Sequence, residues 1–122
     1  MIFTMVMKKI VWILVAVLMC SFTLYSILEK GNASYYSSKF EGRKTASGAV
    51  FRQDSLTGAH KNLPFGTRVL VTNLKNDSMV IVTINDRLSP KSGHTIDLTL
   101  KAAKQLNFVR NGITQVTLQK IE

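Results

Sequence analysis

Hydrophobic positions run along this chain in two regimes. The first is continuous: Ile10-Val-Trp-Ile-Leu-Val-Ala-Val-Leu-Met-Cys20 contains no charged side chain, and no charge follows Lys9 until Glu29. A dibasic front, Lys8 and Lys9, ahead of an unbroken apolar run is the layout of a secretory signal. It predicts an N-terminal hydrophobic helix and an exported protein. The uncharged stretch also approaches the roughly 20 residues that cross a bilayer, so residues 1–30 read as a signal peptide or a membrane anchor. Leu24-Tyr25-Ser26 is a fair cleavage site. Cys20 opens a lipoprotein alternative, against which Met19 is bulky where a small residue is expected. Cleavage, retention and lipidation all stay open.

The second regime, residues 31–122, reads as one domain of short apolar stretches separated by Gly, Asn, Ser and Pro. Ala33-Ser-Tyr-Tyr36 is β-prone. Thr45-Ala-Ser-Gly48 is a turn, with Gly48 suited to positive φ. Residues 67–72 and 79–84 are strands by β-branched content, the second so apolar that both its faces should be covered. Asn73 to Asp77 connects them. Thr95-Ile-Asp-Leu98 is short and extended, and Thr99 should cap a helix over residues 100–106 with Ala102, Ala103 and Leu106 inward. In residues 113–121, Val116 and Leu118 fall out of step with Ile113, which predicts a bulge or a register change. Many short strands, long loops and a brief helix indicate a small closed barrel rather than a sandwich.

Charge and chemistry narrow the function. The chain carries 16 Lys/Arg against 7 Asp/Glu, and residues 31–122 carry 13 against 6. This balance suits an anionic milieu such as an acidic wall polymer or a lipid headgroup surface. Nucleic acid is not expected as a partner of an exported protein. One cysteine permits no intrachain disulfide. Two histidines, with no CxxC, HExxH, GxxxxGK[ST] or GxSxG pattern, give no basis for a metal site, a nucleotide loop or a nucleophile elbow. No cofactor is expected. Carboxylates are the remaining chemical resource, and glycan cleavage is a chemistry that uses them.

Eight blocks fall in order through the domain: Gly31-Asn-Ala-Ser-Tyr-Tyr36, Phe40-Glu-Gly-Arg43, Thr45-Ala-Ser-Gly48, Leu56-Thr-Gly-Ala-His60, Leu63-Pro-Phe-Gly-Thr67, Val71-Thr-Asn73, Asn85-Asp-Arg87 and Ile96-Asp-Leu98. Together they resemble the rare lipoprotein A family, the domain of septal-ring lytic transglycosylases. The resemblance implies a mainly β fold, a six-stranded double-psi β-barrel related to expansins with one or two short helices. It implies cleavage of peptidoglycan glycan strands lacking stem peptides, leaving anhydro-muramic ends. Many members carry a C-terminal glycan-binding SPOR domain; with Glu122 just past the last strand, none is expected here. A monomer in the periplasm or cell envelope, with membrane anchoring left open, completes the expectation.

Carried over by position, the family's catalytic aspartate matches Asp86 and its active-site histidine His60. The family's further glutamate falls on Ala49. Tyr36, Asn85, Arg87 and Thr45 are the expected substrate-binding residues, and Asp97 is expected to be structural, bonding backbone near the helix entry. A lytic transglycosylase can work with one carboxyl group, so Asp86 serves as acid and then base, provided an apolar wall from Val80, Val82 and Ile84 raises its pKa. His60 would orient substrate or bond to Asp86. Tyr35, Tyr36 and Phe65 could stack on sugars, but a core role is favoured; His94 should sit in solvent. The alternative function is a non-catalytic, expansin-like wall-binding module, and a third is a basic secreted adaptor.

Overall fold

The computed structural model describes the backbone of residues 2–26 and 28–121, with side chains of residues 2–18 and 28–121. The apolar N-terminus is helical as expected, α1 spanning Ile2–Ser26. Every described side chain on it is exposed. Among the described residues no helix is long and apolar enough to cross a membrane. The readings placed on Cys20 and on Leu24-Tyr25-Ser26 concern side chains outside those described.

Six strands follow: β1 (Leu28–Tyr35), β2 (Thr57–His60), β3 (Arg68–Asn73), β4 (Met79–Arg87), β5 (Ile96–Leu98) and β6 (Thr114–Lys120). They close into a barrel in the order β1-β5-β2-β4-β3-β6. β1 runs parallel to β5 and β2 parallel to β4, while all other pairs are antiparallel. Residues 28–30, read from the sequence as the end of the leader, are paired within β1, with Leu28 opposite Gln119 and Lys30 opposite Thr117.

Alternation decides the interior. Val69 and Val71 of β3, Val80, Val82 and Ile84 of β4, and Val116 and Leu118 of β6 are buried, each contributing on the order of 1.5–3 kcal/mol relative to exposure. α2 (Leu100–Gln105) presses Ala102 and Ala103 into the same core, joined by Leu106 and Phe108 beyond its end. Thr99 caps it as predicted: its Oγ1 accepts the Ala102 amide at 3.4 Å and donates to Ser55 O at 2.5 Å. Buried Asn73 binds the end of β3 to its neighbours, donating to Leu106 O at 2.7 Å and accepting the Thr114 hydroxyl at 2.8 Å.

Several expectations are corrected. β4 is not covered on both faces: Met79 is 58% and Ile81 39% exposed, and with Leu70 they line an open groove on the outer wall. β4 runs beyond the expected residue 84, through Asn85 and Asp86 to Arg87. β6 carries neither bulge nor register change, because it starts at Thr114 and Ile113 lies outside it. The irregularity falls between β2 and β4, where Gly58 pairs with Ile84 but Ala59 pairs with Asp86. Phe65 is 43% exposed and so is not core. His94 is partly buried, with an Nδ1 atom that has no hydrogen-bond partner among the described residues.

Candidate active site

The bulge on β4 positions the first candidate. Val80, Val82 and Ile84 alternate inward, and unbroken alternation would send Asp86 inward too. Asn85 is the extra residue opposite β2, so Asp86 comes to lie beside Ala59. Ala59 also pairs with Asp97, whose neighbours Ile96 and Leu98 fill the interior. Asp86 therefore joins Asp97 on the outer wall; one inserted residue re-aims a side chain in this way.

The carboxylate of Asp86 is held by three donors. Oδ2 accepts the Tyr36 hydroxyl at 2.5 Å, and Oδ1 accepts the Ala46 amide at 2.8 Å and the Arg87 amide at 2.9 Å. No lysine or arginine forms an ion pair with it among the described residues, where the one salt bridge joins His60 and Glu29. The expected apolar wall is not what surrounds it: Val80, Val82 and Ile84 are committed to the interior.

Ala46 reaches Asp86 because Thr45-Ala-Ser-Gly48 is the predicted turn. The Gly48 amide donates to Thr45 O at 2.9 Å with Gly48 at φ 92°, and Thr45 Oγ1 donates to Ala49 O at 2.9 Å. The turn is clasped to β4 by the Ser47 amide, which donates to Asn85 O at 3.2 Å. Thr45 is thus buried within its own turn, and Ala49 is exposed beside it.

Tyr36 packs its ring against Phe51, centroids 4.4 Å apart, and against Phe40. Its phenol pKa is pushed far above the ordinary value, chiefly by burial, then by the hydrogen bond to Asp86 and by the charges of Asp86 and Asp97. Asp97 accepts the Ser34 hydroxyl, a side-chain partner rather than the backbone one expected.

His60 is not brought to Asp86. The residue is 3% exposed, its Nδ1 accepts the Asn62 and Leu63 amides at 3.2 and 3.1 Å, and its Nε2 lies 2.9 Å from Glu29 Oε1. An atom that accepts two amides carries no proton in that arrangement, so Nε2 is the donor to Glu29. The pair stands at one mouth of the barrel beside a cavity of about 160 Å³ lined by Leu28, Leu63, Val69 and Leu118. Arg87 donates from Nη1 to His60 O at 3.2 Å and to Asp86 O at 3.4 Å, with its guanidinium 4.2 Å from the Phe65 ring centre. Glu29 and Ser34 are participants that the sequence reading did not place here, and Phe65, read as core with sugar stacking as the lesser alternative, stands on the surface beside Arg87. Among the described residues no group of three His, Cys, Asp or Glu side chains could hold a metal ion.

Solved structures with this architecture define the class first. The chain matches a Streptomyces papain inhibitor at a TM-score of 0.63 and 20% identity, covering 78% of this chain and 94% of that one. It matches a mutant expansin of Clavibacter michiganensis, solved in complex with cellohexaose, at 0.60 and 19%, covering 78% and 50%. This is a double-psi β-barrel. A lytic transglycolase family profile matches residues 28–118, and the chain belongs to that family. Its relatives include the endolytic peptidoglycan transglycosylase RlpA of Haemophilus influenzae, 47% identical over 96 residues, covering 79% of this chain and 33% of that protein. A probable endolytic peptidoglycan transglycosylase RlpA of Synechocystis is 45% identical over 95 residues, covering 78% and 30%. The chain spans about a third of the length of the curated relatives it matches.

Proposed function

We propose that this protein cleaves the glycan strands of peptidoglycan as a lytic transglycosylase, with Asp86 as its single proton-transfer group. One observation carries the reading: a half-buried carboxylate on the outer wall, fixed by a hydroxyl and two amides and paired with no cation among the described residues. The names of the relatives support the reaction class.

The two oxygens divide the work. Oδ1 is anchored by amides and sets the orientation of the group. Oδ2 meets the Tyr36 hydroxyl, which both donates and accepts, so a proton can leave or arrive there. In the proposed reaction, Oδ2–H protonates the glycosidic oxygen as its bond to the muramic anomeric carbon breaks. The resulting carboxylate then takes the proton of that sugar's 6-hydroxyl as O6 closes on the same carbon. The product is an anhydro end, and no water is consumed. One carboxyl suffices because the nucleophile belongs to the substrate, whereas the usual glycosidases need two.

Tyr36 and the turn at Thr45 position Asp86 in this scheme, Asn85 provides the bulge, and Arg87 flanks the reacting group. His60 holds the loop from Asn62 onward. Action on peptidoglycan requires export, for which the N-terminal segment would serve as signal, anchor or, through Cys20, lipid attachment site. Denuded glycan strands incubated with the full chain should yield anhydro-ended fragments, and Asp86→Asn should yield none. Wild-type protein that releases nothing rejects the proposal.

A second reading is a wall-binding module without turnover. Ala49 favours it, standing where the resembled family has a glutamate, as does a fold shared with an expansin solved with a bound glucan. It predicts sacculus binding that persists in Asp86→Asn without any released fragment.

A further inference from the structure

Phe65 and Arg87 make an arrangement that the proton chemistry leaves unused. Large aromatic side chains normally bury most of their surface, yet Phe65 is 43% exposed. Its loop is held in place: the Gly66 amide donates to Ile84 O at 2.8 Å, and His60 Nδ1 takes the Asn62 and Leu63 amides. The Arg87 guanidinium lies over the Phe65 ring at 4.2 Å, within cation–π range. Its hydrogen bonds go to two neutral carbonyls, and no carboxylate forms a salt bridge with it among the described residues. The charge is oriented but not neutralised. Because the Arg87 amide also donates to Asp86 Oδ1, the cation is tied to the reacting carboxyl group.

We infer that Phe65 and Arg87 form a subsite for an acidic sugar beside Asp86, with the lactyl carboxylate of a muramic residue on the guanidinium and an apolar sugar edge on the ring. The choice of ligand rests on the glycan reading above. A glycan strand without stem peptides presents a free lactyl carboxylate on each muramic residue, whereas a stem peptide converts that group to a neutral amide. A planar, permanently charged guanidinium discriminates between the two, since it can bind a carboxylate through paired charge-assisted hydrogen bonds. Arg87 would be the side chain that reads this difference.

The test uses binding, in full-length protein carrying Asp86→Asn so that turnover plays no part. A muramic-containing disaccharide with a free lactyl carboxylate is compared with its lactyl amide. The acid should bind about tenfold tighter, the scale of one charge-assisted hydrogen bond. Arg87→Gln should erase that ratio. Phe65→Leu should weaken both ligands by about fivefold while keeping the ratio. Equal affinity for acid and amide, failure of both to bind, or a preference that survives Arg87→Gln overturns the inference. Unchanged binding in Phe65→Leu removes the ring from it. Should Arg87→Gln fail to fold, the acid-against-amide comparison in the Arg87 protein decides alone. Anhydro products without acid preference reject this subsite only; acid preference without products in Asp86-intact protein rejects the lytic reading only.

Discussion

Tyr36 and Asp86, 50 residues apart in sequence, meet hydroxyl to carboxylate at 2.5 Å on the outer wall of the barrel. The phenol is held against Phe51 and Phe40, so its hydroxyl has little freedom to leave the carboxylate. The contact makes Tyr36 the group through which the protein addresses Oδ2, the oxygen proposed to exchange a proton with substrate.

This contact has a measurable alkaline signature. In the unfolded chain Tyr36 ionises near its ordinary pKa of about 10, while in the folded chain burial and two nearby carboxylates keep it protonated to higher pH. Above about pH 10 the folded state therefore binds more protons than the unfolded one, and stability falls as pH rises. Denaturation of wild type and Tyr36→Phe from pH 8 upward should show a steeper alkaline loss in wild type. Parallel curves would remove the proposed environment of Tyr36. At neutral pH the same variant should cost about 1 kcal/mol, one hydrogen bond with the ring packing kept.

A second prediction separates two roles for His60. Its Nδ1 accepts two amides and its Nε2 faces Glu29, which makes the ring a brace for the loop leading to Phe65. Asparagine offers an acceptor near the Nδ1 position but cannot shuttle a proton. His60→Asn should keep glycan turnover within about tenfold of wild type, while a general acid or base would lose roughly 10²–10⁴-fold. His60→Ala should lower the melting temperature and raise KM more than it lowers kcat.

How much of this was legible in the sequence depends on the kind of signal each element carries. β3 and β6 show β-branched or alternating patterns, and the cap at Thr99 and the turn at Gly48 follow from local chemistry. β2 shows no such pattern: Thr57-Gly-Ala-His60 lacks a β-branched run because its neighbours lie too close. A Cβ at Gly58 would stand 3.1 Å from Asp97 O. Only the motif resemblance singled out Asp86. Its outward aim comes from pairing β4 with a strand more than 20 residues away, which no local window contains. Glu29 was hidden differently, as the first charge after an apolar run and so credited to the leader. Its partnership with His60 exists only once β1 closes the barrel.

Close packing supplies the third prediction. Gly31 lies against Thr95: a Cβ added there would stand 1.9 Å from Thr95 Oγ1 and 2.6 Å from its Cβ. Rotating the threonine cannot clear the second contact. Gly31→Ala should therefore destabilise the barrel by about 1–3 kcal/mol, the usual cost of overpacking. The double variant Gly31→Ala with Thr95→Gly should recover part of that loss. Chemical denaturation of the three proteins checks both statements. A Gly31→Ala protein as stable as wild type would mean the two strand segments do not approach this closely.

The last prediction concerns Ala49, where the motif resemblance places a glutamate. Ala49 closes the turn that delivers the Ala46 amide to Asp86, and it does so through its backbone carbonyl, which accepts both the amide and the hydroxyl of Thr45. Its side chain is exposed and makes none of these bonds. Ala49→Glu should therefore leave the fold intact, with a stability change within about 0.5 kcal/mol, while adding a carboxyl group to the turn that bonds Asp86. Under the single-acid scheme wild type is already active, and a second acid that orients substrate should raise turnover by about tenfold, toward the lower end of what positioned acid–base groups supply. Under the binding-module reading wild type releases no fragments, and Ala49→Glu either installs turnover or leaves sacculus binding unaltered. Quantifying anhydro-ended fragments from wild type, Ala49→Glu and Ala49→Glu with Asp86→Asn separates these cases. Activity that survives the loss of Asp86 in the last protein would show that the added carboxyl group, rather than Asp86, moves the proton.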